Sequence, residues 1–171
     1  MLTARDDLGA AKPNRPDEIR SMTHQMIGRE GQIEIAAEIS WQWDRLSSPP
    51  DWVWALGSGQ VLSPAFKKLL DENTGENDVI QWVPFPVLSG SETTLEYWMP
   101  HFPEWRDIFN QPIPRDGGIP FGVGMSASKS EGVRVARVPR TITGVIVDSD
   151  LMRAIKNLGL TGFRARAMRT E

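Results

Sequence analysis

A run of alternating residues constrains the fold of this chain more than any other feature. From Gln32 to Trp43 every odd-numbered position is apolar, and the even-numbered positions are polar except for Ala36. This period of two predicts a strand with one buried and one solvent-exposed face, because a helix would scatter the apolar residues around its axis. A strand with one solvent-exposed face favours an antiparallel or mixed sheet over a parallel sheet that is buried on both faces.

Signals at helix ends predict three helices, over residues 17–28, 64–72 and 150–158. The second helix has the clearest start, since Ser63 offers an N-cap hydroxyl and Pro64 suits the first helical position. In the third helix Ser149 is the expected N-cap, and Gly159 lies where a left-handed residue ends a helix. The buried stripe expected for the first helix consists of Ile19, Met22, Met26 and Ile27.

Residues 79–88 and 94–99 flank the turn-like segment Ser89–Glu92, which predicts a β-hairpin. Pro84 and Pro86 indicate that the first arm lies at a sheet edge or is distorted, because proline cannot donate to a strand ladder. Further strands are predicted over residues 52–56, 119–124, 133–138, 141–147 and 163–167.

The irregular order of these elements predicts the α+β class. We expect a single domain over residues 17–171, with a mixed, mostly antiparallel sheet and three or four short helices on a face or edge. Residues 1–16 are polar, contain two prolines and show no periodic apolar face. They are therefore predicted to form a flexible N-terminal arm.

Composition excludes several classes of protein. The chain has no cysteine, so a disulfide framework, a thiolate nucleophile and a cysteine-type zinc site are excluded. Charged residues lie where a signal peptide would need its apolar stretch, and the longest uncharged run, residues 52–66, is shorter than the roughly 20 residues that span a membrane. A cytoplasmic protein without a membrane partner is expected.

Few residues suggest chemistry. The glycine-rich segments fit neither a phosphate-binding loop nor a dinucleotide fingerprint, and the two histidines, His24 and His101, lack metal-binding spacing. No metal site and no cofactor are predicted. One alternative is a small hydrolase-type enzyme that uses His101 with Glu104 or Asp107 as an acid–base couple. Another is a structural or scaffold protein recognised through its tryptophans.

Charge and aromatic residues are segregated along the chain. Residues 46–120 carry ten acids and four bases, whereas residues 121–171 carry nine bases and four acids, and all seven tryptophans lie between Trp41 and Trp105. Most tryptophans are expected in the core. An exposed acidic and aromatic patch that suits a basic protein partner is the sharper hypothesis, and its candidate residues are Glu96, Trp98, Phe102, Glu104, Trp105 and Asp107. Nucleic acid is not an expected partner, because the bases near the C-terminus alternate as on a solvated strand face.

Motifs from Asp51 onward resemble a known family. These are the segment Val61–Leu70, the strand Trp82-Val83-Pro84, the hairpin arm Leu95–Trp98 and the closing segment Val147–Phe163 with its Gly-Leu-Thr-Gly turn. Their order is similar to that of the eleventh-numbered family of bacterial polymorphic-toxin immunity proteins. The resemblance implies a cytoplasmic protein that binds and neutralises a cognate toxin by steric occlusion, without catalysis.

Overall fold

Helices and strands follow one another irregularly along the chain, and the strands collect into two sheets. The computed structural model describes residues 1–5, 8–28, 30–34, 39–43, 45, 47–55, 59–75, 77–89, 93–113, 123–138 and 144–171. Within these ranges the helices are α1 (Pro16–Gly28), α2 (Pro64–Asn73) and α3 (Ser149–Asn157). The strands are β1 (Leu2–Ala4), β2 (Ala10–Pro13), β3 (Trp41–Trp43), β4 (Trp52–Ala55), β5 (Gly59–Leu62), β6 (Gln81–Pro84), β7 (Val87–Ser89), β8 (Thr93–Leu95), β9 (Trp98–His101), β10 (Val135–Arg137), β11 (Val145–Val147) and β12 (Phe163–Ala165). The predicted α+β class is confirmed.

The larger sheet is mixed and curls around its own core. Its strand order is β6–β9–β5–β4–β2–β3–β7–β8, with parallel pairing at β2–β4 and β3–β7. The two ends of this order belong to one hairpin, because β6 continues into β7 and β8 continues into β9. The Phe85 N–H donates to the Tyr97 carbonyl over 2.7 Å between these halves. The predicted hairpin is confirmed, and its bent arms bring the ends of the sheet together.

The alternating segment behaves as predicted in burial but only partly in pairing. The odd-numbered side chains that the structure describes are buried: Ile33, Ile39, Trp41 and Trp43. Strand pairing is limited to β3, and residues 35–38 lie outside the described ranges. Near Ile33 the Gln81 amide takes the place of a neighbouring strand, accepting from the Ile33 N–H (2.9 Å) and donating to the Ile33 carbonyl (2.8 Å). A buried face therefore does not require a continuous ladder.

Residues 1–16 do not form the predicted flexible arm. β1 lies between β11 and β12 in the smaller sheet, whose order is β10–β11–β1–β12, and Leu2 is fully buried. β2 lies between β3 and β4 in the larger sheet, and Ala11 is also fully buried. Such short strands have no room for a periodic face, but pairing on both sides satisfies their backbone groups. The predicted arm is a connection between the two sheets.

A second core fills the space between the sheets. α2 and α3 are in contact there, and their buried side chains are Phe66, Leu69, Leu70, Leu151 and Ile155. Trp52 of β4 meets Phe66 edge to face, with 5.0 Å between ring centroids. The N-cap of α3 is Asp148 and not the predicted Ser149, since the Asp148 carboxylate accepts the Leu151 N–H over 2.6 Å. A carboxylate is favoured at that position by the positive end of the helix dipole.

Some predictions fall partly or wholly on residues that the structure does not describe. They concern the side chains of Met26 and Ile27 in α1, residues 119–122 of the strand expected over 119–124, and residues 141–143 of the strand expected over 141–147. β10, β11 and β12 lie within the strands expected over 133–138, 141–147 and 163–167. Among the described helices, none has the length and apolar character needed to cross a lipid bilayer.

Candidate protein-binding surface

The start of α2 determines which of its side chains face the strands beside it. As predicted, the Ser63 hydroxyl caps this helix by accepting the Phe66 N–H over 3.3 Å, and Ser63 also donates to the Asp51 carboxylate over 2.8 Å. The first turn is thereby fixed to the loop before β4. Lys67 and Asp71 lie four residues apart, which places them on one side of the helix.

Two tryptophans project from the neighbouring strands towards that side. In the antiparallel pair of β6 and β9, Trp82 lies opposite Pro100 and Pro84 lies opposite Trp98. Both indoles therefore belong to the same face of the sheet and form a diagonal pair. Trp82 and Trp98 are half-buried, so each keeps part of its ring in contact with solvent.

The side chains of Lys67, Asp71, Trp82 and Trp98 form what we call the Trp82–Trp98 cluster. The Lys67 ammonium lies 5.1 Å from the ring centroid of Trp82 and 5.8 Å from that of Trp98, within the range of cation–π attraction. Asp71 accepts the Trp82 indole N–H over 2.7 Å through one oxygen, and its other oxygen accepts from Lys67. Each member holds another in place, so the indoles are oriented before any partner arrives.

Of the six predicted binding residues, two lie at or beside this cluster. Trp98 is a member, and Glu96 is exposed two residues before it. The expected exposure of Phe102 is wrong, because this side chain is only 3% exposed and belongs to the core between the sheets. Phe102 follows β9 directly, and its side chain turns inwards to pack with that core.

The other three predicted residues lie in the segment after β9. Glu104 is exposed and forms an ion pair with Arg106 over 3.3 Å, while Arg106 also donates to the Asn77 carbonyl beyond the end of α2. Trp105 is half-buried. Asp107 is exposed but pairs with Lys129 over 2.7 Å, which connects it to a different part of the chain. The structure therefore does not gather the six residues into one patch.

His101, the last residue of β9, lies in the interior of the protein. Its side chain is fully buried, and Nε2 forms a hydrogen bond of 2.8 Å with the Gly31 carbonyl. The Gly31 N–H donates to the Pro103 carbonyl over 2.7 Å, so the loop after α1 is bound twice to this end of β9. Burial lowers the pKa of His101 below its ordinary value, which favours the neutral ring.

The three residues of the acid–base couples that the sequence offered as an alternative each bond a different partner. Glu104 pairs with Arg106 and Asp107 with Lys129, while His101 bonds a backbone carbonyl. In the described parts of the chain, no group of three or more His, Asp or Glu side chains is placed to hold a metal ion.

Sequence reasoning missed three of the four cluster members. Lys67 and Asp71 were visible as a pair four residues apart on a well-capped helix, and Trp82 as a tryptophan on a hairpin arm. The sequence does not show that α2 packs against β6 and β9, and this packing brings the four residues together. Cross-element contacts of this kind have no local signature.

A scan against protein-family models found no match. A search of curated proteins found none either. The resemblance to immunity proteins therefore depends on the sequence motifs alone.

Proposed function

We propose that this chain is an immunity-type protein that binds a cognate bacterial toxin and blocks it by steric occlusion, without catalysis. The Trp82–Trp98 cluster is the observation that carries the proposal. It places two partly exposed indoles beside a cation and a carboxylate on one face of the molecule. Tryptophan is among the residue types most enriched at the energetic centre of protein interfaces.

Preorganisation makes this cluster suited to binding. The hydrogen bond from Trp82 to Asp71 and the position of Lys67 between the rings restrict the rotamers of the indoles. A side chain that is already ordered loses less conformational entropy when a partner binds, which otherwise costs about 0.5–1.5 kcal/mol for each immobilised side chain. The cluster can therefore act as an anchor with little reorganisation.

The scaffold beneath the cluster is held to both sheets. One oxygen of the Asp51 carboxylate accepts from Ser63 at the start of α2. Its other oxygen accepts from the Thr161 N–H (2.9 Å) and the Thr161 hydroxyl (3.2 Å), beside β12 of the smaller sheet. Occlusion of a toxin's active cleft requires a surface that keeps its shape. The bonds of Asp51 hold the start of α2 in place relative to both sheets.

Charge supports a basic partner. The segment 46–120, which supplies the whole cluster, carries ten acids against four bases. Glu96 is exposed beside the cluster, and Glu104 is exposed and paired with Arg106, which also donates to the Asn77 carbonyl beyond the end of α2. Complementary charge mainly accelerates encounter, whereas buried aromatic anchors slow dissociation.

The test uses the toxin domain encoded beside the gene for this chain, purified and also co-expressed with it in a bacterial host. We expect the wild-type chain to restore growth and to bind the toxin domain in calorimetry. Trp98→Ala should weaken binding at least tenfold, because it removes one anchor and one side of the cation site. Trp54→Ala is the matched control, since Trp54 is also half-buried but lies on β4, two strands away from β9.

Charge reversal provides a second, independent measurement. Glu96→Lys should lower the association rate, and added salt should reduce the difference from wild type. Asp107→Lys, whose carboxylate pairs with Lys129 away from α2, should change the rate much less. Failure of the neighbouring gene to encode a toxin, or equal effects of Trp98→Ala and Trp54→Ala on affinity, would contradict the proposal.

A further inference from the structure

An open groove of about 560 Å³ lies at one end of the smaller sheet, away from the Trp82–Trp98 cluster. The start of α3, the segment 125–134 and the C-terminal segment 165–170 surround it. Its apolar lining among the described residues includes Leu2, Met125, Ala136, Ile146, Met152 and Met168. Methionine side chains are flexible and polarisable, so such walls adapt to apolar ligands of varied shape.

The walls of the groove are fixed by backbone hydrogen bonds at both ends of the C-terminal segment. The Arg166 N–H donates to the Met1 carbonyl over 2.9 Å, and the Met125 N–H donates to the Arg169 carbonyl over 2.8 Å. Ala167 and Met168 lie between these two attachments and face the groove. The space is therefore bounded on opposite sides and resembles a small-molecule site, which typically measures 300–1,000 Å³, more than a flat protein interface.

Cations at the rim give the groove a positive charge. Lys156 in the last turn of α3 and Arg166 after β12 line it, are exposed, and form no ion pair within the described part of the chain. A third cation, Arg134, bonds the Asp148 carboxylate over 3.1 Å. The other oxygen of Asp148 caps α3, so the one acidic side chain among the described lining residues already has partners.

We propose that this groove binds a single-chain anionic amphiphile, namely an alkyl carboxylate of medium length. The apolar walls would remove the hydrocarbon chain from water. Lys156 and Arg166 would form charge-assisted hydrogen bonds with the carboxylate. The apolar lining and the positive charge of Lys156 and Arg166 favour this class of ligand, and Asp148, the one carboxylate among the described lining residues, is already bonded to Arg134 and to the Leu151 N–H.

The test is calorimetry of the full chain with sodium dodecanoate and with dodecyltrimethylammonium, both below their micellar concentrations. These probes share one hydrocarbon chain and differ in the sign of the head group. We expect dodecanoate to bind in a one-to-one ratio and the cationic probe to bind at least tenfold more weakly. Equal binding of both probes would overturn the proposal, because it would show unspecific adsorption to apolar surface.

Two variants locate the site. The double substitution Lys156→Gln with Arg166→Gln should weaken dodecanoate binding at least tenfold, and Ala167→Trp should abolish it by filling the groove. Lys68→Gln with Arg153→Gln is the matched control, since it removes the same charge from exposed positions on α2 and α3 that do not line the groove. Equal losses in the two double variants, or binding to anionic vesicles without binding to free dodecanoate, would refute the proposed site.

Discussion

Gly162 provides the most direct test of how the two sheets are joined. This residue follows α3 and has a φ of 95°, a conformation that favours glycine. A Cβ atom added there would lie 2.3 Å from the Trp52 carbonyl oxygen and 2.9 Å from the Trp52 nitrogen. The Trp52 N–H donates to the Thr161 carbonyl over 3.1 Å, and the Arg5 N–H donates to the Gly162 carbonyl over 2.9 Å. The turn thus attaches β12 and β1 to β4.

Gly162→Ala should cost the folded state about 3–4 kcal/mol. The left-handed conformation alone contributes about 1 kcal/mol after the gain from a stiffer unfolded chain is subtracted. The contact with Trp52 involves backbone on both sides, so the turn must move and lose hydrogen bonds worth about 1 kcal/mol each. Packing of β12 against the core between the sheets is lost as well. In a chain of this size, the melting temperature should fall by roughly 10 °C.

Gly159→Ala is the control, because Gly159 has a φ of 66° and no atom within 4 Å of an added Cβ. Gly159→Ala should lower the free energy of unfolding by about 1 kcal/mol, because only the strain of the left-handed backbone conformation is added. Urea unfolding followed by tryptophan fluorescence measures both variants, and an unchanged slope with urea confirms that the native state is compared with the same unfolded state. Equal losses for the two variants would show that this turn does not approach β4 and that the described docking of the sheets is incorrect.

Three further predictions concern buried polar groups. Asp78→Ala should lower the free energy of unfolding by about 3 kcal/mol, because the buried Asp78 carboxylate accepts backbone N–H groups from the α2–β6 loop and from the start of β10. Asp107→Ala, at an exposed position, serves as the control. Tyr97→Phe should cost about 1–2 kcal/mol in urea unfolding, since its hydroxyl donates to the carbonyls of Pro49 and Pro50. Burial lowers the pKa of His101, so the unfolded chain binds this proton at a higher pH than the folded chain does, and the free energy of unfolding should fall as pH drops below 6.5. His101→Gln should reduce this fall in melting experiments across pH.

Local signals in the sequence predict individual elements well. Ser63 and Pro64 placed the start of α2 correctly, because capping depends on neighbouring residues only. The alternation before Trp43 predicted which side chains are buried, since one buried face imposes that order whether or not the backbone pairs continuously. The N-terminal segment was predicted incorrectly because its order comes from strands far along the chain, such as β11 and β12, that pair with β1.

The candidate surface was predictable only in part for the same reason. Trp98 and Glu96 were named from composition, and both remain at the surface. Phe102 was assigned to the same patch because it is near them in sequence, but it follows β9 into the core. Lys67 reaches the indoles from another element altogether, and neither spacing nor composition relates residue 67 to residues 82 and 98. Tertiary packing alone creates that site.

The two proposed sites carry opposite selectivity because acids and bases are segregated along the chain. The cluster belongs to the acidic segment 46–120, whereas the rim residues Arg134, Lys156 and Arg166 of the groove belong to the basic segment 121–171. A basic toxin surface would be repelled from the groove, and an alkyl carboxylate would meet the carboxylate of Glu96 beside a Lys67 that is already paired with Asp71. Substitutions at separate sites usually act independently. Loss of Lys156 and Arg166 should therefore leave toxin affinity unchanged, and Glu96→Lys should leave dodecanoate affinity unchanged. A change in either cross-measurement would show that the two sites are coupled.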